Sequence, residues 1–411
     1  MQKLLAAGAD VEFADACGRR ALHWAAGNDA TAMVKVLMEA GADIKAADLF
    51  GRKPLHMAAG SDATAVAKVL IEAGADVGVT DSDGRRPLHK AAGNDATAMA
   101  KLLIEAGADI GVTDSNGRRP LHWASRSGAT AMVKVLMEAG ADVGVTDSFG
   151  RSPLHWAASN DAAAMGKLLM EAGADLEVAD LFGRRPLHWA ALNDATVMAK
   201  VLIEAGADVS AADSDGRRPL HGAAGNGTTT MAKVLIEAGA DVEAADATGK
   251  RPLHQAAWNY AAAVTKVLIE ARADVNAADM HKQAPLHLAA CVGSMKTVQV
   301  LLGAGADPRL CCDNGKTPAQ MAKDEGFVAV ARVLEEKADL RSTSGQAQQS
   351  FQRQAENAYG APCLELMPCS QVSIERETPE LSPAAKNSSK KRRQVCSAGS
   401  LKVAKRLAVL S

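Results

Sequence analysis

The chain reads as an all-α solenoid of short antiparallel helix pairs joined by turn and hairpin loops, and three observations lead there. Pro-Leu-His returns every 33 residues, placing His56, His89, His122, His155, His188, His221, His254 and His287 in the same triplet, with His23 one interval earlier behind Ala21-Leu22. Gly-Ala-Asp closes most of the same intervals. A period of 33 is too short for an independent domain, so each interval is one supersecondary unit that buries its apolar face on its neighbours. Apolar residues make up 48% of the chain and aromatics only 3%, which predicts a core of Ala, Leu, Val, Ile and Met between closely approaching helices.

The unit Asp81 to Thr113 shows each element in order. Asp81-Ser82-Asp83-Gly84 is a turn, with Gly84 free to adopt positive φ. Pro87 suits a first helical turn, where the amide it lacks would be unpaired, and a helix follows over Pro87 to Gly93 with Leu88, Ala91 and Ala92 packed. Asn94-Asp95 interrupts it. A second helix is expected from Thr97 to Ala106, with Met99, Leu102 and Leu103 packed and Lys101 and Glu105 on the wet face. Gly107 is placed to end it in the left-handed conformation. Helices this short are marginal alone, so stability comes from stacking.

The motif Asp-x-x-Gly-x-x-Pro-Leu-His-x-Ala-Ala, followed by a helix ending Leu-x-x-x-Gly-Ala-Asp, resembles the ankyrin repeat family. The resemblance covers residues 1–341: a partial unit over 1–14, nine full repeats over 15–311, and a capping repeat over 312–341 in which Gln320 stands where the histidine would be. It implies that the repeated histidines are structural, each hydrogen-bonded to turn backbone. Three departures stand out. The family's Thr before the proline survives only as Thr317; Arg20, Lys53, Arg86, Arg119, Arg185, Arg218 and Arg251 replace it, with Ser152 and Ala284 as exceptions. Asp-Ala replaces the family's Gly-His after the first helix, as at Asp29-Ala30 and Asp194-Ala195. Arg272 stands where Gly239 and Gly305 stand in neighbouring units, and a left-handed backbone there carries a penalty of about 1 kcal/mol.

Net charge is −2 overall, but the ends differ. Residues before Ser342 hold 36 Lys+Arg against 43 Asp+Glu, and the remainder hold 10 against 5. The seven cysteines follow neither the repeat nor any metal-ligand spacing. No cofactor or metal is expected, no run of residues is long and apolar enough for a membrane span, and a reducing cytoplasmic or nuclear setting follows. No nucleophile–base pair or phosphate-binding glycine loop stands out, so the chain is not expected to be an enzyme.

The resemblance also identifies positions that the family leaves free for partners: the turn residues, the residue after the turn glycine, and the end of the first helix. Here they supply Phe50, Phe149 and Phe182, then Arg52, Arg85, Arg118, Arg151, Arg184 and Arg217, then Arg126 and Trp258. Arginine and aromatics dominate binding hot spots, so this row suits an acidic or mixed peptide. The same arginines also fit a plain solvated surface. Trp24, Trp123, Trp156 and Trp189 occupy a position that in the family is framework, as Leu288 is here; Lys90, Gly222 and Gln255 at that position leave recognition open.

After Leu340 the periodicity stops, and residues 342–411 read as a largely disordered tail. Lys390, Lys391, Arg392 and Arg393, followed by Lys402, Lys405 and Arg406, resemble a nuclear localisation signal; a solvated basic end or an anionic-surface contact fits the same residues. The expected function is a non-catalytic, monomeric protein-binding scaffold with a protein or peptide partner on its concave face and nucleic acid as a lesser alternative. Two other readings stay open: a scaffold bound to nucleic acid or an anionic surface, and a fragment of a larger protein whose catalytic domain lies outside this sequence.

Overall fold

A computed structural model describes residues 8–340, all within one compact unit. Expectations for the tail, including Lys390 to Arg393, Lys402, Lys405 and Arg406, lie outside the described residues. Helices come in pairs: α1 (Ala21–Gly27) with α2 (Thr31–Glu39), α3 (Pro54–Gly60) with α4 (Thr64–Glu72), α5 (Pro87–Gly93) with α6 (Thr97–Glu105), and α7 (Pro120–Ser127) with α8 (Thr130–Glu138). The series continues as α9 (Pro153–Ser159) with α10 (Ala163–Glu171), α11 (Pro186–Leu192) with α12 (Thr196–Glu204), and α13 (Pro219–Asn226) with α14 (Thr229–Glu237). Then come α15 (Pro252–Trp258) with α16 (Ala262–Glu270), α17 (Pro285–Cys291) with α18 (Met295–Gly303), and α19 (Pro318–Asp324), followed by helix over residues 328–340. The only β contact among the described residues is an isolated bridge between Ala14 and Arg20.

Each first helix from α3 onward starts on its proline, and α1 on Ala21; two residues later a histidine closes the start in all but α19, where Gln320 does. In α5 the Nδ1 of His89 accepts the backbone N–H of Arg86 at 3.0 Å. Arginine at this N-cap accepts nothing from the helix, so an amide of the first turn goes without the side-chain partner that Thr provides. Among the described residues only α19 has the reciprocal pair: Thr317 Oγ1 accepts from Gln320 N at 3.3 Å and Gln320 Oε1 accepts from Thr317 N at 2.8 Å. In α6 the buried face is Met99, Ala100 and Leu103. Leu102, expected to pack, lies against the core while remaining half-buried.

The loops show where the departures from the family are felt. Asp29, Asp62, Asp95, Asp161 and Asp194 all adopt φ between 53° and 58°. Arg272 has φ 68°, against 89° for Gly239 and 94° for Gly305.

Neighbouring units are joined by backbone, ring and core. Ser82 N donates to Phe50 O at 2.9 Å, and the same bond recurs from Ser115 to Asp83 and from Ser148 to Asn116. Since each repeat histidine uses Nδ1 as an acceptor, Nε2 carries the proton, and from His23 to His254 it donates one unit onward, as from His56 to Arg85 O at 2.9 Å and from His89 to Arg118 O at 3.0 Å. First helices contact one another more closely than second helices do, so they form the inner side of the stack. Their paired alanines, such as Ala91–Ala92 and Ala124, are fully buried.

Candidate functional site

The inner face is built on the turn aspartates. Asp114 Oδ1 accepts the N–H of Asn116 and of Arg118, both at 2.9 Å, which fixes the turn. Its Oδ2 faces the inner side and accepts Arg118 Nε at 2.9 Å. The same ion pair forms between Arg52 and Asp48, Arg85 and Asp81, Arg151 and Asp147, and Arg184 and Asp180. Burial pushes the Asp48 carboxyl up, but hydrogen bonds from the Arg52 side chain and backbone and from the Phe50 N–H hold it below the usual carboxylate range. These arginines are therefore fixed and charge-paired before any partner arrives.

Aromatic rings stack on the fixed guanidiniums. Arg52, Arg151 and Arg184 lie over Phe50, Phe149 and Phe182 at 4.8, 4.6 and 4.7 Å. Trp123 and Trp189 donate their indole N–H to Asp114 and Asp180 at 3.1 and 3.0 Å, beneath Arg118 and Arg184. Trp156 differs. Nε and Nη2 of Arg151 both occupy Asp147 Oδ2, and the Trp156 indole leans on Trp189 with centroids 6.1 Å apart, its Nε1 buried without a partner among the described residues. Arg126, exposed at the end of α7, reaches over both Trp123 (5.8 Å) and Trp156 (5.6 Å), and no carboxylate pairs with it among the described residues.

Residues singled out from the sequence thus fall into groups. Arg118, Arg126, Phe149, Arg151, Phe182 and Arg184 share one strip over three successive units with Trp123, Trp156 and Trp189. Phe50 and Arg52 sit apart, because the unit between carries Asp83 and Lys90 in place of aromatics; Arg85 there pairs with Asp81 and Asp83, and Lys90 with Asp81 at 3.2 Å. Arg217 turns away from Asp213 and lies between Asp215 of its own turn, 3.7 Å away, and Asp246 of the next unit, 3.8 Å away. Trp258 is exposed at the end of α15, with no ring or guanidinium stacked on it among the described residues. The tryptophans occupy framework positions, and the sequence signal that ties two of them together is Arg126, three residues after Trp123 and thirty before Trp156.

Among the described residues no group of His, Cys, Asp and Glu could hold a metal ion, and no helix is long and apolar enough to cross a membrane. The repeated histidines from His23 to His254 are occupied at both ring nitrogens, whereas His287 keeps only its Nδ1 bond among the described residues; burial first of all holds His56, His89 and His122 down at about 4.

Stacked helix pairs with an invariant frame and a variable inner face define a repeat scaffold. The chain belongs to the ankyrin-repeat family: the family description "Ankyrin repeats (3 copies)" matches residues 1–81, 65–147, 139–213 and 202–279, and "Ankyrin repeat" matches 281–314. The crystal structure of the human ASB11 ankyrin repeat domain is similar at 30% identity and a TM-score of 0.46, over 49% of this chain and 90% of that one. No curated protein matches the chain. The ankyrin-repeat fold is typical of protein–protein interaction scaffolds.

Proposed function

We propose that the chain is a non-catalytic scaffold that binds a segment of a partner protein along the inner face from Arg118 to Trp189, and that the segment presents an acidic side chain to Arg126. The observation that carries this is Arg126 itself, an exposed cation held by two indole faces and lacking a carboxylate partner among the described residues. Neighbouring arginines are already paired and supply rigid stacking planes, which keeps the ordering cost of binding low. A randomised peptide display on the whole chain tests this. It should enrich Asp and Glu, Arg126→Glu should reverse the preference, and Lys134→Glu on the outer helix α8 should leave it unchanged. The same enrichment with Arg126→Glu ends the reading.

The basic clusters Lys390 to Arg393 and Lys402 to Arg406 support a separate proposal, nuclear import. Fluorescent fusions with and without residues 386–411 decide it: import predicts nuclear signal only with the segment, and identical distributions refute it.

A further inference from the structure

One stretch of the inner face is missing a side chain that its neighbours have. The residue after the repeat histidine is Trp24, Trp123, Trp156 or Trp189 in four units but Gly222 in the unit that opens at Asp213. A groove of about 390 Å³ lies there, with Phe182, Leu192, Asp213, Arg217, Gln255 and Asn259 in its walls.

Sibling units show what the groove lacks. Trp24, Trp123 and Trp189 each donate an indole N–H to Oδ2 of their own turn aspartate, at 3.2, 3.1 and 3.0 Å. The arginine four residues after that aspartate donates Nε to the same oxygen and lies over the ring, at 4.0, 4.6 and 5.1 Å. Around Asp213 both donors are gone. Residue 222 has no side chain, and Arg217 extends toward Asp215 and Asp246, 3.7 and 3.8 Å away. Asp246 is open to it because Lys250, standing where an arginine usually stands, leaves that carboxylate without an ion pair from its own unit. Asp213 Oδ1 still holds the turn through the N–H groups of Asp215 and Arg217, while its Oδ2 accepts no hydrogen bond among the described residues. Leu192 forms the floor, its Cδ2 3.2 Å from where a Cβ on residue 222 would lie.

We propose that this groove receives a tryptophan side chain of the bound partner, its indole N–H donating to Asp213 Oδ2 and its ring meeting Arg217, so that the partner supplies the contact which Trp189 makes from within the chain. The proposal rests on the inner face being the binding face. A lysine could reach the same oxygen, as Lys90 reaches Asp81, but it would set an ammonium beside Arg217 and leave Phe182 and Leu192 uncovered. An indole satisfies the carboxylate, the cation and the apolar wall together.

The test needs no partner, so its outcome is independent of the peptide selection above. N-acetyltryptophanamide is titrated into the whole chain by ligand-observed NMR, beside its 1-methylindole analogue, which keeps the ring but has no N–H. Saturable binding is expected, about tenfold weaker for the methylated probe, because a hydrogen bond to a charged acceptor is lost. Gly222→Trp should abolish binding by filling the groove. Asp213→Asn, which keeps an oxygen for the turn amides, should weaken it and covers the case in which Gly222→Trp fails to fold. No saturable binding, equal binding of the two probes, or binding unchanged by Asp213→Asn would overturn the proposal.

Discussion

Replacing Arg272 by glycine should stabilise the α16–α18 region by about 1 kcal/mol. Arg272 holds φ 68°, a conformation costing an L-residue about 1–2 kcal/mol, from which a few tenths are returned because glycine is freer in the unfolded chain. Nothing else changes in the exchange. Arg272 is exposed, and its side chain makes no hydrogen bond or ion pair among the described residues. Its backbone bonds match those of Gly239: Arg272 N to Ile269 O and Gly239 N to Ile236 O are both 2.9 Å. A Cβ on Gly239 would meet nothing within 4 Å, so Gly239→Arg should cost the same amount with no steric share. Native-state hydrogen exchange reads this locally, which matters because a repeat array need not unfold in one step. Amides of Arg272 to Asp274 should exchange about fivefold more slowly in Arg272→Gly, and the Gly239→Arg amides at the matching site about fivefold faster. Unchanged exchange in both would show that the left-handed backbone at this position costs nothing.

Other outcomes follow from the same frame. His56, His89 and His122 lie at about 4 folded and 6.5 unfolded, so the stability they contribute is complete above pH 6.5 and is lost as pH falls toward 4, up to about 3 kcal/mol each; a urea midpoint constant across that window would refute this, and His89→Gln, copying Gln320, should remove part of the slope. Arg119→Thr should add about 1 kcal/mol by giving α7 the reciprocal cap that Thr317 gives α19, seen as a higher urea midpoint; no rise would mean that the Arg119 carbonyl, which accepts His122 N at 2.9 Å, already satisfies that amide. Gly51→Ala should cost well over 2 kcal/mol, because φ 71° is joined by a Cβ 2.7 Å from the Ser82 backbone N; a loss no greater than that of Gly239→Ala would contradict the close approach of the two turns.

The helix pairs were legible because proline, glycine and leucine act locally. Pro87, Gly107 and Leu88 stand where the spacing put them, at the start of α5, at φ 88° after α6, and in the core. The degree of burial was less legible: Ala100 is fully buried, whereas Leu102 packs against the core and stays half-exposed. The arginine row was legible as a row, and its pairing was not, although Asp114 and Arg118 are only four residues apart. That spacing is usually read along a helix, whereas here a turn brings the two side chains together through the 2.9 Å bond. Stacking across units depends on a register of 30 to 33 residues, and only the assembled fold places Arg126 over Trp156.

Pairing the arginines decides what kind of surface the inner face can be. Free guanidiniums at every turn would attract any polyanion, with the steep salt dependence of phosphate binding and little discrimination. Asp48, Asp81, Asp114, Asp147 and Asp180 each hold one guanidinium from below, so the row contributes little net charge and presents flat, oriented planes instead. Discrimination then falls to residues that break the row. Arg126 adds an unpaired cation between two indoles, and Gly222 removes an indole and leaves a carboxylate oxygen open. One break asks a partner for an anion and the other for an N–H donor on an apolar ring. The breaks are three units apart along the stack, so under the two proposals a ligand that satisfies both is an extended segment with the two side chains in a fixed order. A surface of uniform arginines would impose no such order, so the two proposals place specificity in the exceptions to the repeat rather than in its regular positions.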